Sequence, residues 1–321
     1  MNNDKTLHLK GGQQHASIRN KIRNFIKEGT SLYDLNNFVE KSIKKATKFD
    51  PKNPLNAGIA FPVGISINNV AAHWAVAPKC DQNISTNDLI TIDFGLHHQG
   101  YITDSAFTMS LSNKYDELMN INREAVYAGI AASGPDAKLS DVGKAIGEVL
   151  NNAEVEIDGT LTPVQVITSL SGHQILPYRI HGSKAVPNYD FPSYTARMKE
   201  GEVYAIEPFV TTGSGKLQES LECNHYMLNY MEPSNQSRSQ HLGSREHNLL
   251  KQIKRDYDCL CFNSNWIGKE YRVPLSRLAK QKIINRYPML YDVKGTFVSQ
   301  FEHNVYINQS SVTVLTKGND W

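Results

Sequence analysis

Charge gives no partner away in this sequence: 34 lysines and arginines stand against 32 aspartates and glutamates, a formal net charge of +2. There is no basic excess to recruit nucleic acid or an anionic membrane, so neither is expected as a partner. Cysteine is scarce as well. Cys80, Cys223, Cys259 and Cys261 show neither the CxxC spacing of a zinc module nor the density of a secreted scaffold, which implies reduced thiols in a reducing compartment. No apolar run approaches the roughly 20 residues that span a bilayer, and the start, MNNDKTLHLKGGQQ, has no apolar core behind a basic head. A cytoplasmic location is therefore expected. Low-complexity tracts and interdomain linkers are also missing, and 321 residues divide most naturally as one domain carrying one subdomain.

What is present is a repeated order of elements. Ile18, Ile22, Phe25 and Ile26 recur at helical spacing up to Gly29, and a second helix starts after Thr30 or Ser31 with Leu32, Leu35, Phe38, Val39 and Ile43 inward. Strands are expected near 70–77, 89–95 and 101–111, where branched and aromatic residues alternate with polar ones. The order then returns. A helix over about 116–132 is closed by Gly134-Pro135, a helix runs from a Ser140 cap to about Asn152, and strands follow near 164–170, 203–209 and 296–307. This spells an internal structural duplication. Residues 229–288, between the last two strands, break the symmetry. Their first part, MEPSNQSRSQHLGSRE, reads as an exposed loop, and helical patterns follow at about 245–257 and 275–286, so a helical insertion is expected in the second half.

The chemistry begins in ITIDFGLHHQGYITDSAFTMSL, a hairpin of two apolar strands with one aspartate on each, Asp93 and Asp104. A turn centred on His98-Gln99 sets the two carboxylates directly opposite on one face, about 4.5 to 5.5 Å apart, which is destabilising without a positive charge between them. A bulge at Gly100 would shift that register. The simplest compensation is a divalent metal held by oxygen ligands. Three further segments place a possible ligand in apolar strand context: His173 in SLSGHQI, Glu207 in VYAIEPF and Glu302 in SQFEHNVYI. Any one of these alone reads as the solvent side of its strand. Four carboxylates and one imidazole together match what two divalent cations need, about 3.5 to 4 Å apart with a shared water. Spacing does not by itself bring them together.

The runs GIAFPVGISINNVAAHW, ITIDFGLHHQGYITDSAFT, SLSGHQILPYRIHGSKAVP, MKEGEVYAIEPF, LECNHYM and SQFEHNV closely resemble the type 2 methionine aminopeptidases, from about residue 14 onward and in family order. The resemblance implies an α+β pita-bread fold: two pseudo-symmetric halves of curved antiparallel sheet backed by helices, with a helical insertion subdomain. It implies the metal ligands Asp93, Asp104, His173, Glu207 and Glu302 around two divalent ions, of Mn, Fe, Co or Zn. Asp104 and Glu302 would bridge, Asp93 would complete one site, and His173 with Glu207 the other. The implied chemistry is attack of a metal-bridging hydroxide on the peptide carbonyl, with Glu207 as proton shuttle to the leaving amine. His181 would donate to the carbonyl oxygen or tetrahedral intermediate, and His73 would contact the scissile amide; His73 also looks like the family's target for covalent epoxides. His225, Phe61, Ile180, Cys261 and Tyr287 match the wall of the methionine side-chain pocket, and an apolar thioether suits such a lining.

The activity so implied is removal of the initiator methionine from nascent polypeptides with a small second residue, by a cytoplasmic monomer. Three departures from the family pattern stand out. Trp74-Ala75-Val76 follows the first histidine, Leu176-Pro177 follows Gln174-Ile175, and Cys261 replaces a small pocket residue, which would narrow the pocket or make it thiol-reactive. The charged N-terminal extension of animal relatives has no counterpart here, so ribosome association is not carried over. Two rivals are a prolidase or aminopeptidase P, which share the ligand set, and a non-catalytic RNA- or protein-binding relative, which would lose ligands.

Overall fold

The computed structural model describes residues 3–78, 80–230 and 242–321. Apolar spacing dictates the first layer. Helix α1 (Asn3–Phe25) and helix α2 (Leu32–Thr47) bury Ile18, Ile22, Leu32, Leu35, Val39 and Ile43, and the Ser31 side chain accepts the Asp34 N–H at the start of α2. Each such side chain removed from water contributes about 1.5–3 kcal/mol. Helix α1 begins well before the expected Ile18 because Gly11-Gly12 interrupts the pattern. Glycines inside a helix cost about 1 kcal/mol each against alanine, yet a Cβ on Gly12 would collide with the Leu315 carbonyl oxygen. The glycine admits the C-terminal segment against the helix.

These helices back a sheet of strands β1 (Ala57–Ile67), β3 (Leu89–His98) and β4 (Tyr101–Ser110), ordered β1-β3-β4. The short β2 (Val70–Ala72) stops before the expected 77 because His73 takes a left-handed φ of 63°. The β3–β4 register corrects the expected facing pair: Asp93 lies opposite Ala106, and Asp104 opposite Gly95. The turn is Gln99-Gly100, with φ 51° and 81°. Two left-handed positions make the two-residue turn whose twist matches the strands, and Gly100 takes the second at little cost. The shift is two residues, so both aspartates keep the same face and become diagonal neighbours.

The second half repeats the plan. Helices α3 (Asp116–Ala132) and α4 (Leu139–Leu150) pack on the same core, in which Phe94, Leu118, Ile146, Tyr204, Ile206 and Phe301 are buried together. Ser140 is not the cap of α4; Lys138 holds that position in extended conformation, and Ser140 is buried in the first turn. A hairpin, β5 (Glu154–Ile157) with β6 (Thr160–Pro163), precedes β7 (Gln165–Val166), the only regular part of the expected 164–170 strand. Strands β8 (Gly172–Ile175), β9 (Ala185–Val186) and β10 (Val203–Ile206) follow, then β11 (Phe209–Thr211) and β12 (Gln218–Glu219).

The segment expected as an insertion, 229–288, holds α5 (Ser244–Asp256), β14 (Phe262–Asn263), α6 (Arg272–Lys280) and β15 (Ile284–Tyr287), with β13 (His225–Leu228) just before it. These strands order as β14-β13-β15 over a separate apolar cluster of Leu249, Ile253, Phe262, Leu278 and Ile283. The helix expected over 275–286 ends at Lys280. Lys282 is left-handed, and Ile284–Tyr287 pairs with β13 instead. Of the stretch read as an exposed loop, residues 231–241 lie outside the described residues, and its end is already the first turn of α5.

Strands β16 (Leu290–Tyr291), β17 (Val298–Gln300), β18 (His303–Ile307) and β19 (Val312–Val314) complete the chain, giving the sheets β19-β18-β10-β8-β9, β17-β11-β7 and β12-β16-β2. The two expected long strands are thus broken, at Glu207-Pro208 and at Phe301-Glu302. Proline has no N–H for a ladder. At the second break the Glu302 N–H donates to the Ala106 carbonyl at 3.0 Å, and the Asp104 N–H donates to Asn304 Oδ1 at 2.7 Å. These bonds join the two halves.

Candidate active site

Both strand breaks and the β3–β4 hairpin deliver acidic side chains to one place. Carboxylate oxygens of Asp93, Asp104 and Glu302 lie within 4.8 Å of one another. From β8, His173 Nε2 reaches to 3.1 Å from Glu207 Oε1 and 3.8 Å from Asp104 Oδ2. All five ligand candidates therefore converge, although their spacing in sequence gave no sign of it. Asp104, His173, Glu207 and Glu302 are buried, and Asp93 is partly so.

Such a group is unfavourable as it stands. Burial pushes Asp93 up to about 8, helped by the Glu207 charge, and burial likewise pushes Glu207 up to about 8. Asp104 and Glu302 are held well above the ordinary carboxylate range by burial and then by the neighbouring carboxylates. Oδ1 of Asp93 and Oδ1 of Asp104 are buried without a hydrogen-bond partner among the described residues. Orphaned, mutually repelling oxygens beside a neutral imidazole are a donor set that fits divalent cations of borderline to hard character.

Above this acidic floor lies a cavity of about 350 Å³. Its lining includes Phe61, His73, Asp93, Asp104, His173, Ile180, His181, Glu207, His225, Cys261 and Tyr287, so of the expected ligands and substrate-contacting residues only Glu302 is absent from it. Ala72, Leu170 and Phe209 add apolar surface, and Ser169, Ser171 and Lys184 add polar groups. The histidine rings pack edge to face: His73 against His225 and Tyr287, both at 5.5 Å, and His181 against His173 at 4.5 Å. Burial pushes His73 and His173 down to about 4, with His181 adding to the effect on His73. Desolvation of the ring and then the adjacent His173 hold His181 below its ordinary value, although the residue as a whole is exposed. These rings are neutral near pH 7, each offering one donor and one acceptor nitrogen. The left-handed backbone of His73 costs about 1–3 kcal/mol, a strain found where a side chain must be aimed.

Of the three departures noted in the sequence, only Cys261 faces the cavity. Trp74 packs against the main core. Leu176 and Pro177 lie in the tight turn in which Leu176 and Arg179 exchange backbone hydrogen bonds. The Cys261 thiol is pushed up by burial and by the Asp104 charge, which disfavours the reactive thiolate. Sequence reasoning missed Gln300, which donates to Glu207 Oε2 at 3.1 Å, and Asn304, which accepts the Asp104 N–H. Their signal was present, since Gln300, Glu302 and Asn304 recur at the spacing of one strand face.

The model of the family described as metallopeptidase family M24 matches residues 7–236. Over 311 residues the chain is 38% identical to methionine aminopeptidase 2A of Arabidopsis thaliana, covering 96% of this chain and 69% of that protein. Among solved structures, methionine aminopeptidase from Thermotoga maritima matches with a TM-score of 0.66 at 18% identity, over 99% of this chain and 98% of that one. A thermophilic Arx1 matches with a TM-score of 0.77 at 13% identity, over 100% and 92%. At these identities the two structures bear on the fold alone, which is that of the pita-bread proteins.

Proposed function

Because this chain belongs to metallopeptidase family M24, we propose that the residues gathered in its cavity divide the work of removing an N-terminal methionine. The chain is a metal-dependent methionine aminopeptidase, and its substrates are the N-termini of nascent proteins. The observation that carries the division of labour is the convergence of three buried carboxylates, the partly buried Asp93 and a neutral imidazole at one cavity.

Asp93, Asp104, His173, Glu207 and Glu302 would hold two divalent ions, and this donor set accepts Mn, Fe, Co or Zn. When bound, the metal supplies Lewis-acid polarisation of the scissile carbonyl and acidifies water toward neutrality. Glu207 would move the proton to the leaving amine. Neutral His181 donates to the carbonyl oxygen as charge develops there, and His73 contacts the scissile amide. Phe61, Ile180, His225, Cys261 and Tyr287 take the thioether side chain. A free N-terminal amine is a basic ligand for a metal held by Asp93 as an internal peptide nitrogen is not, which would select exopeptidase action.

Residues 229–288 are read as a subdomain of one catalytic domain, supported by their own apolar cluster and by the two pocket residues, His225 on its edge and Tyr287, on paired strands. A monomer working in the cytoplasm, where nascent chains are met, completes the reading. Among the described residues, no helix is long and apolar enough to cross a membrane. The prolidase and non-catalytic alternatives are not favoured, because relatives at 38% and 36% identity carry the methionine aminopeptidase name.

The test is release of free methionine from Met-Gly, Met-Leu and Xaa-Pro peptides by chelator-stripped protein, with and without added Mn or Co. Metal-dependent release from Met-Gly but not Met-Leu is the expected result. Preference for Xaa-Pro would overturn the substrate assignment, and silence with every metal would overturn the activity.

A further inference from the structure

The residue that follows each of the three clustered carboxylates touches one buried network on the far side of the sheet. Neighbours along a strand point to opposite faces. Phe94 and Ser105, which are register partners across β3 and β4, therefore turn away from the cavity as Asp93 and Asp104 turn toward it. His15 of α1 stacks on the Phe94 ring at 3.7 Å, and its Nε2 donates to the Phe94 carbonyl at 2.7 Å. Arg19, one helical turn on and fully buried, donates to His15 Nδ1 at 3.2 Å and to Ser105 Oγ at 3.4 Å. Ser105 Oγ donates in turn to the Glu302 carbonyl at 2.6 Å.

The same guanidinium holds the C-terminal segment. It donates to the Thr316 carbonyl at 2.8 Å and, in bidentate fashion, to both Asp320 oxygens at 2.9 Å. Thr316 Oγ1 lies 2.8 Å from His303 Nδ1, and His303, the residue after Glu302, stacks on Trp321 at 3.9 Å. The Arg19 and Asp320 side chains are 0% and 1% exposed. A buried ion pair is weak evidence of net stabilisation, since desolvation offsets most of the attraction. A planar fork locked on a carboxylate is, however, a stiff geometric reference.

We propose that the buried Arg19–Asp320 pair is a clamp that sets the mutual spacing of Asp93, Asp104 and Glu302 from behind, which makes His15, Arg19 and Asp320 positioning residues for metal binding. This rests on reading those carboxylates as metal ligands. The clamp does not extend to His173: the next residue there, Gln174, donates to Glu202 instead. Loss of the clamp should therefore weaken one of two binding events more than the other.

The experiment is calorimetric titration of chelator-stripped protein with Mn²⁺, alongside the melting temperature of each metal-free variant. Asp320→Asn keeps the shape and removes the charge. Arg19→Met with Asp320→Leu replaces the pair by apolar groups, which a fold can tolerate. Leu249→Ala, in the remote subdomain core, serves as the control for loosening alone. Loss of an outer partner costs typically 10–100-fold in metal affinity, the effect expected for at least one Mn²⁺ site in both clamp variants and absent in Leu249→Ala. Affinity within about twofold of wild type in the clamp variants would overturn the proposal. So would an equal loss in Leu249→Ala. Should the double variant not fold, Asp320→Asn decides alone. Asp104→Ala separates this result from the reading beneath it. If removing that carboxylate leaves Mn²⁺ uptake unchanged, the ligand assignment fails and the clamp with it. If uptake is lost there but not in the clamp variants, only the clamp fails.

Discussion

Filling the site with a divalent cation should expel protons, and the structure sets how many. In the metal-free protein burial pushes Asp93 and Glu207 up to about 8, and Asp104 and Glu302 are held well above the ordinary range. At pH 7 a group titrating near 8 is roughly nine-tenths protonated, so Asp93 and Glu207 together hold on the order of two protons. His173, pushed down to about 4, holds none and is ready to ligate. Ligation requires the carboxylates ionised. Loading both ions at pH 7 should thus release on the order of two protons from this pair, and lowering the pH by one unit should weaken the combined binding constant by on the order of a hundredfold.

The assay is calorimetric titration with Mn²⁺ at pH 7 in buffers of different ionisation enthalpy, where the slope of observed against buffer enthalpy counts protons. Repeating it at pH 9 sharpens the test. Asp93 and Glu207 are then mostly ionised beforehand, and the release should fall by on the order of one to two protons. Release of fewer than about one proton at pH 7, or the same number at both pH values, would refute the picture of a protonated acidic cluster awaiting a cation.

The same shifts fix how stability depends on pH once metal is stripped. Asp93 and Glu207 are raised in the folded state, so their contribution is full below the unfolded values of 3.8 and 4.5 and is lost as pH rises through about 8. His73 and His173 are lowered to about 4 from 6.5, so their contribution is present above 6.5 and lost as pH falls through about 4. Above pH 6.5 only the carboxylates act, and scanning calorimetry should find the metal-free protein melting lower at pH 9 than at pH 6.5, with added Mn²⁺ closing the gap. His181→Ala should lower kcat on Met-Gly by about 10²–10³ with little change in KM, as for loss of an oxyanion donor, and an unchanged kcat would remove it from that role. Because burial disfavours the Cys261 thiolate, iodoacetamide should mark the partly exposed Cys80 and Cys223 first, and peptide mass mapping that finds Cys261 alkylated earliest would contradict the structure.

How much of this was legible in the sequence depended on how far each decision reached along the chain. Helix α2 and the β3–β4 strands were legible because their apolar spacing is local, and the ligands stood out as charged residues in apolar runs. The hairpin register was not, since His98-Gln99 and Gln99-Gly100 are both acceptable turn pairs in composition, and only the left-handed backbone at both positions of the second selects it. The early part of α1 was hidden by Gly11-Gly12, whose value lies in the approach of Thr103 to the first glycine and of Leu315, from the far end of the chain, to the second. The strand breaks at Glu207 and Glu302 were hidden for a reason tied to the site. Glu207 and Glu302 reach the site by leaving their ladders, whereas Asp93 and Asp104 meet them from within the β3–β4 ladder, so it is at the two glutamates that element boundaries fail to follow propensity. His73, strained at φ 63°, is another such position. Arg19 and Asp320, 301 residues apart, carry no local signal for each other; what makes the pair readable in the structure is that strand alternation sends the neighbours of the ligands to the face they occupy.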